Sequence, residues 1–288
     1  MRKNNAIYTL TIIIIVVSTF VSLMGLLSNG GPGAYDFTAI TGELVPIYGF
    51  GIYHNDSLSV ASQGIASDFV TLLIAIPLLI LSLFLWHKNQ FKGAILLTGT
   101  IGYFLYTYTS YVFLWTYNPL FILYVVLMSC SLFSFIILMM LFDYPNIHTY
   151  FKPKFSTRLY VIYQVLIGLF LSLLWLGKIA PTLFSNQNPV GLEHYTTLVI
   201  QGMDLGFIVP TAFVSAYLLH KKHTMGYVLT AVILVKGFTM LLAINGMMIN
   251  MALNGVPLEI VSSSIFGLFA VVSVYIFVKM LSQIKVTA

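Results

Sequence analysis

Charged residues are scarce in this chain of 288 residues, where Asp, Glu, Lys and Arg together make up 7%. A typical soluble domain contains about 25%. Hydrophobic residues make up 59%, so eight acidic and thirteen basic side chains are too few to cover a soluble core of this size. Much of the surface is therefore expected to face a lipid bilayer. The net charge of +5 is spread over short loops rather than gathered on one face, which indicates membrane topology signals and no nucleic-acid partner.

Cysteine and the common catalytic motifs are also missing. The single cysteine, Cys130, lies in an apolar run, which excludes an intramolecular disulfide and is typical of a small buried side chain. The sequence has no nucleotide-binding P-loop, no GxSxG turn and no haem-attachment motif. The spacings in His54-x-Asp56 and Glu193-His194 are not diagnostic of a metal site, and no HExxH motif or cysteine pair accompanies them. We predict no metal and no cofactor, and the catalytic residues, if there are any, stay unknown.

Eight apolar stretches are each long enough, at about 20 residues, to cross a bilayer core as a helix. Their approximate bounds are 6–28, 68–87, 93–115, 119–141, 158–178, 197–219, 226–248 and 259–281. The apolar runs are continuous rather than alternating, which favours helices over membrane strands. We predict an all-α, polytopic transmembrane helical bundle, a single integral membrane domain over 1–288, with long outer loops at 29–67 and 179–196. The first stretch exceeds the core of a secretion signal and is expected to be a retained span.

The distribution of charge predicts the orientation. If the N-terminus is cytoplasmic, almost every basic residue falls on the cytoplasmic side, as the positive-inside rule requires. The residues concerned are Arg2, Lys3, Lys88, Lys92, Lys152, Lys154, Arg158, Lys221, Lys222, Lys279 and Lys285. The acidic residues Asp36, Glu43, Asp56, Glu193 and Glu259 fall on the other side. Both termini are therefore predicted to be cytoplasmic.

Several residues of the first half recur as identical residues 133 positions later in the chain. The matching pairs are Pro77 and Pro210, Ser82 and Ser215, His87 and His220, Lys88 and Lys221, and Gly93 and Gly226. The two prolines lie inside apolar stretches and should kink their helices. Because four spans separate the copies, the pattern indicates a parallel 4+4 repeat about an axis along the membrane normal. Chance agreement between helices of biased composition is the alternative, and the first and fifth spans show no obvious match.

Lys236 lies near the middle of the seventh span, where a charged side chain costs about 2.5–3.5 kcal/mol on insertion scales. A cation is tolerated there when it faces a partner or a wet cavity. Asp204, in the sixth span, is the natural partner, and we predict an Asp204–Lys236 pair. The pair would be either a substrate or proton site or a structural link between two helices.

Asp68 and Thr71 fall on Gln201 and Asp204 when the sequence is shifted by 133. Each pair is spaced three residues apart and so shares one face of its helix. This spacing predicts a single outward-facing polar vestibule formed by the four residues. Alternatively, Asp68 is an ordinary acid near a helix N-terminus, where the helix dipole favours it.

Three further residues are candidates for substrate binding. Tyr103 and Tyr106 in the third span either line a ligand pocket or pack between helices. Asn245, nine residues after Lys236, either joins the site or forms a hydrogen bond between helices.

Several segments resemble a pattern found in uncharacterised bacterial multi-pass integral membrane proteins. They are Asp68–Leu72 running on to Pro77, Thr98–Tyr108, Tyr117–Phe121 and Gln201–Phe207. The resemblance covers most of spans two to seven and implies a bacterial inner-membrane location. The family has no assigned activity, so no catalytic role follows from it.

The leading functional prediction is a membrane transporter or permease for a small-molecule solute, with proton coupling as one option. One alternative is a membrane-embedded sensor or accessory subunit that binds a ligand or partner through its outer loops. Another is an integral membrane enzyme that modifies lipid, although the sequence offers no recognisable nucleophile, base and metal set. Protein partners are not indicated.

Overall fold

Eight long helices form the bundle in the computed structural model, which describes residues 4–153, 155–185, 188–258 and 260–285. Their bounds are α1 Asn5–Leu27, α2 Leu58–His87, α3 Phe91–Phe113, α4 Phe121–Met140, α5 Arg158–Thr182, α6 Val199–His220, α7 Thr224–Leu253 and α8 Ile260–Gln283. Part of the predicted charge asymmetry rests on residues that lie outside the described ranges, namely Arg2, Lys3, Lys154 and Glu259. The all-α prediction is confirmed.

Within the described ranges, seven of these helices are long and apolar enough to cross a membrane, and α3 is the long helix that is not among them. The chain is therefore a multi-pass helical membrane protein. Helix α3 packs against α2, α4 and α7, and most of its residues are buried. Because protein rather than lipid covers it, α3 tolerates the hydroxyl-bearing residues that lower its hydropathy.

Helix α2 begins at Leu58, ten residues before the predicted start of the second span at 68. Ser57 caps this helix, since its side chain accepts a hydrogen bond from the backbone N–H of Val60 at 3.1 Å. The added segment is rich in small and polar residues, so its hydropathy gave no signal, but its packing inside the bundle stabilises it as helix. The first long loop is therefore 28–57 rather than 29–67.

This first loop is an ordered cap. Strand β1, Tyr35–Thr38, pairs antiparallel with β2, Leu44–Ile47, and a 3-10 turn follows at Gly51–Tyr53. The backbone of Gly49 passes so close to Gly33 that an added Cβ would lie 1.9 Å from the Gly33 carbonyl oxygen. Only glycine allows the two glycine-rich stretches to cross at this distance.

The bundle has two distinguishable ends. We call the end that carries the loops 28–57 and 183–198 the long-loop end. The opposite end carries the turns at 88–90 and 221–223 and the final turn of α8, and we call it the basic end because of its lysines. At the basic end the backbone N–H of Lys152 donates to the Gln283 carbonyl at 2.9 Å, which joins the linker after α4 to α8.

Helices α2 and α6 share an irregularity at positions separated by 133 residues. A π-helical turn occupies Thr71–Ala75 in α2 and Asp204–Ile208 in α6. The α-helical segment after each turn has Pro77 or Pro210 near its start. Proline has no N–H to continue the α-helical ladder, and a wider turn absorbs the mismatch. A π turn thus precedes each of the two prolines at which the sequence predicts a kink.

The tight turns that follow α2 and α6 also have matching backbone conformations and glycine contacts. Asn89 and Lys222 both have a positive φ, of 56° and 55°. Gly93 and Gly226 press against the preceding helix, where an added Cβ would lie 2.3 Å and 2.4 Å from a backbone nitrogen. The two helix–turn–helix segments thus have the same local geometry.

Candidate functional site

A cavity of about 880 Å³ lies between α3 and the helices of the second half of the chain. Small-molecule sites typically measure roughly 300–1,000 Å³. Residues of α3, α5, α6, α7 and α8 form most of the wall. Pro181 near the end of α5 and the loop residues Asn188 and Pro257 border it at the long-loop end. The cavity is therefore large enough for a ligand of several rings or a long chain.

Most of the wall is apolar and adaptable. Helix α7 contributes four methionines, Met240, Met247, Met248 and Met251. Rings come from Tyr106, Trp115, Tyr163, Phe170, Trp175, Phe266 and Phe269. Methionine side chains are flexible and polarisable, and they fit ligands of irregular shape. The wall thus favours an apolar ligand body.

Asp204 is the acidic group of the cavity, and it begins the π turn of α6. The Tyr106 hydroxyl donates a hydrogen bond to Asp204 Oδ1 at 2.8 Å. The Trp175 indole N–H donates to Oδ2 at 2.9 Å. Both carboxylate oxygens therefore already accept a hydrogen bond from a neutral donor.

Lys236 is a half-buried basic group of the cavity wall and lies one helix away, on α7, whereas the other lysine of the wall, Lys178 of α5, is exposed. Its Nζ lies 3.9 Å from the centroid of the Tyr106 ring and interacts electrostatically with Asp204. Tyr106 thus contacts both Asp204 and Lys236. These two charged side chains are neighbours but do not touch each other directly. In the part of the chain that the structure describes, Lys236 Nζ has no hydrogen-bond acceptor.

A layer of hydrogen bonds lies on the basic-end side of the cavity. Gln164 donates to the Thr230 hydroxyl at 3.2 Å, and that hydroxyl is 3.0 Å from the hydroxyl of Ser215. Tyr163 and Ser273 join α5 to α8 through a further hydrogen bond. This layer separates the cavity from the basic end.

Asp68 lies in a different buried cluster, and this corrects the prediction of one vestibule. The Tyr53 hydroxyl donates to Asp68 Oδ2 at 2.5 Å, and the Tyr111 hydroxyl donates to Oδ1 at 3.1 Å. An added Cβ on Gly25 would lie 1.8 Å from Asp68 Oδ2. Asp68 therefore holds α1, the 3-10 turn and α3 around α2, and it does not line the cavity.

Thr71 and Tyr103 also lie outside the cavity wall. Their hydroxyl groups are 3.0 Å apart and both side chains are buried. Shifted by 133, these positions are those of Asp204 and Lys236. The first half of the chain thus has a neutral hydrogen-bonded pair where the second half has a charged pair.

Gln201 and Asn245 are not in the cavity wall either. Gln201 is half-buried, two residues into α6. The Asn245 amide donates to the carbonyls of Leu241 and Phe266 at 2.7 Å and 3.3 Å, so it joins α7 to α8. Among the eight predicted binding residues, Asp204, Lys236 and Tyr106 are the ones that the structure brings together at the cavity.

Several residues of the site carry no clear signal in the sequence. Trp175 has no charge to single it out, and Gln164 lies among apolar residues of α5. Its Oε1 is buried and has no hydrogen-bond partner among the described residues. The four methionines of α7 looked like ordinary span residues. Their helical spacing was the one available signal, because 240, 247, 248 and 251 fall near one face of a helix.

A second polar network joins three segments at the long-loop end. Oδ1 of Asp56 accepts hydrogen bonds from the backbone N–H of Thr116 at 2.8 Å, the Thr116 hydroxyl at 2.9 Å and the Tyr195 hydroxyl at 3.1 Å. Burial raises the pKa of Asp56 from 3.8 to about 6, and these hydrogen bonds oppose the rise. The network holds the first and second long loops together.

We expect Asp56→Asn to stabilise the protein at neutral pH. All three donors point at one oxygen that asparagine keeps, while the buried charge disappears. Because the pKa of Asp56 is higher in the folded state, its contribution to stability is fully present below pH 3.8 and is lost as the pH rises through about 6. The advantage of the variant should be on the order of 3 kcal/mol at most near neutral pH and vanish in acid. Unfolding with a denaturing detergent across this range measures it, and a pH-independent difference would contradict the expectation.

Comparisons with protein-family models, with curated proteins and with solved structures found no match to this chain. The fold and the site together define a multi-pass helical membrane protein with a cavity whose wall carries Asp204 and Lys236, with the exposed Lys178 also in the wall.

Proposed function

We propose that the protein is a membrane transporter for a small solute, and that the cavity is its solute site. The observation that carries this proposal is the position of Asp204 and Lys236 in the wall of a large cavity inside the bundle. A purely structural ion pair would be packed by neighbouring side chains rather than placed beside open space. Coupling to protons belongs to the proposal, with Asp204 as the candidate carrier.

We further propose eight spans arranged as a parallel 4+4 repeat. Helix α3 would be the eighth span, because its 23 residues match the bilayer core and its neighbours are themselves span candidates. The repeat is supported by the matching π turns, positive-φ turn residues and glycine contacts at a separation of 133. Transporters built from such repeats commonly place the solute site at the repeat interface.

The proposed orientation puts the basic end in the cytoplasm of a bacterial cell, with the protein in the inner membrane. Lys88, Lys221, Lys222 and Lys279 lie at that end, and the positive-inside rule favours the cytoplasm for them. The cavity then faces outward, and the hydrogen-bonded layer around Thr230 separates it from the cytoplasm. Transport requires this layer to open.

Thiol labelling from the two sides of the membrane tests the proposal. In a Cys130→Ala background, Met251→Cys and Ile233→Cys place single thiols at the two ends of the cavity. A membrane-impermeant methanethiosulfonate should label Met251→Cys only from outside. A transporter should expose Ile233→Cys to both sides, because the inner layer opens during the cycle.

Two controls accompany this experiment. Lys279→Cys is exposed at the basic end and should react only from the cytoplasm, whereas Leu97→Cys is fully buried and should not react. Thr230→Val removes both hydroxyl contacts of the inner layer and should speed the cytoplasmic labelling of Ile233→Cys several-fold. If Ile233→Cys never reacts from the cytoplasmic side, with or without Thr230→Val, the protein is a static receptor and the transporter proposal is wrong.

A further inference from the structure

The chemistry of the cavity also indicates what kind of solute it would hold, an inference that rests on the proposed function. Asp204 has each carboxylate oxygen occupied by a neutral donor, from Tyr106 and Trp175. Lys236 is in the opposite condition. Within the described residues its ammonium group has an aromatic ring on one side and no acceptor for its N–H groups.

An ammonium group beside an apolar cavity gains most from an anionic acceptor. Charge-assisted hydrogen bonds are roughly twice as strong as neutral ones, and low polarity in the surroundings strengthens them further. A cationic group on the ligand would instead meet the repulsion of Lys236 before it reached Asp204, whose oxygens are already partnered. The charged part of the ligand is therefore expected to be negative.

The rest of the cavity wall indicates the size and polarity of the uncharged part of the ligand. From the position of Lys236 toward the long-loop end, α7 presents Met240, Met247 and Met251, and Phe266 of α8 joins them in the wall. This surface offers dispersion contacts and few hydrogen bonds. A volume of about 880 Å³ leaves room for a chain or ring system well beyond the size of the charged group.

We propose that the solute is an amphipathic carboxylate, with its carboxylate on Lys236 Nζ and its apolar body along the methionine face of α7. The corresponding place in the first half of the chain cannot bind the same group. There the position equivalent to Lys236 is Tyr103, which is fully buried and hydrogen-bonded to Thr71. The protein therefore has this carboxylate site in its second half and no equivalent site at Tyr103.

Three probes that differ only in their head group test this assignment. Octanoate, octanol and octylammonium are titrated into the full chain in phosphatidylcholine nanodiscs, with binding to empty nanodiscs subtracted. The indole fluorescence of Trp115 and Trp175, which line the cavity, reports occupancy. Octanoate should bind about tenfold to a hundredfold tighter than octanol, the range expected for one hydrogen bond to a charged group.

The Lys236→Met variant should bring octanoate down to the affinity of octanol and leave the affinity for octanol unchanged. Unchanged octanol binding shows that the cavity of the variant is still folded. Lys279→Met is the matched control, because Lys279 also contacts a tyrosine ring but lies outside the cavity wall, and it should change nothing.

Three results would overturn the carboxylate assignment: tighter binding of octylammonium than of octanoate, octanoate binding that survives Lys236→Met, or no binding of any probe. None of them decides the transporter proposal, which stands or falls with the two-sided labelling of Ile233→Cys. The carboxylate assignment and the transporter proposal can therefore each be refuted without the other.

Discussion

The double variant Asp204→Thr with Lys236→Tyr is expected to fold about as stably as the native chain, while each single substitution costs about 2–3 kcal/mol. Fully buried ion pairs cost roughly 3–5 kcal/mol when one partner is removed. We expect less here because Lys236 is half-buried beside the cavity and does not touch Asp204 directly. The double variant creates the residue pair that the first half already has at Thr71 and Tyr103, where the hydroxyl groups are 3.0 Å apart.

The reason for this recovery is electrostatic. Lys236→Tyr alone leaves the Asp204 carboxylate with its two neutral donors and without the Lys236 cation. Asp204→Thr alone leaves the Lys236 ammonium group in an apolar wall without the Asp204 carboxylate. A double-mutant cycle of unfolding free energies in denaturing detergent gives the coupling directly. If the two single costs simply add in the double variant, the charged groups are not coupled, and the equivalence of the two halves loses its strongest support.

The second large effect is expected at the two glycines of the equivalent turns. Gly93→Ala and Gly226→Ala should each destabilise the protein by about 3 kcal/mol or more, at the upper end of overpacking costs. In both cases the new Cβ would lie within 2.4 Å of a backbone nitrogen, and backbone cannot move aside as the end of a flexible side chain can. The two costs should be equal within about 0.5 kcal/mol, because the two nearest backbone contacts are equivalent at the two sites.

Gly237→Ala is the matched control for this pair. It lies inside α7, where, apart from its chain neighbours and its own helix backbone, no atom of the described residues lies within 4 Å of an added Cβ. Alanine is favoured over glycine inside a helix by about 1 kcal/mol, so this variant should be neutral or slightly more stable. Folded yield and unfolding free energy in detergent measure all three variants. A mild effect at one of the two turn glycines and a severe effect at the other would argue against equivalent halves.

Most of the helical organisation was predictable, because lipid is a simple solvent. A helix that faces it needs about 20 apolar residues, and the seven candidate spans agree with predicted stretches to within a few residues at most of their ends. The start of α2 was missed because residues 58–67 are stabilised by packing and by the Ser57 cap rather than by hydropathy. Helix α3 was predicted as a span from its length, although its hydropathy is modest because neighbouring helices cover it.

The candidate site was predictable only in part. Lys236 and Asp204 stood out because charges inside a span are costly, and the cavity does contain both. Asp68 carried the same signal, yet it lies with Tyr53 and Tyr111 in a separate cluster. The free-energy cost of burying a charge shows that the charge needs a partner. It does not show which neighbouring residues provide that partner.

The sequence by itself determined that this is a helical membrane protein and where most of its helices begin and end. It also showed that the second half has charged residues at two positions that the first half fills with neutral ones. These properties follow from composition, length and spacing, which act locally along the chain. Only the tertiary structure decided that Tyr106 contacts both Asp204 and Lys236, and that the Trp175 indole donates a hydrogen bond to Asp204. It also decided that these residues line a cavity. Those contacts join α3, α5, α6 and α7, and contacts between distant segments depend on how helices pack, which no local pattern encodes.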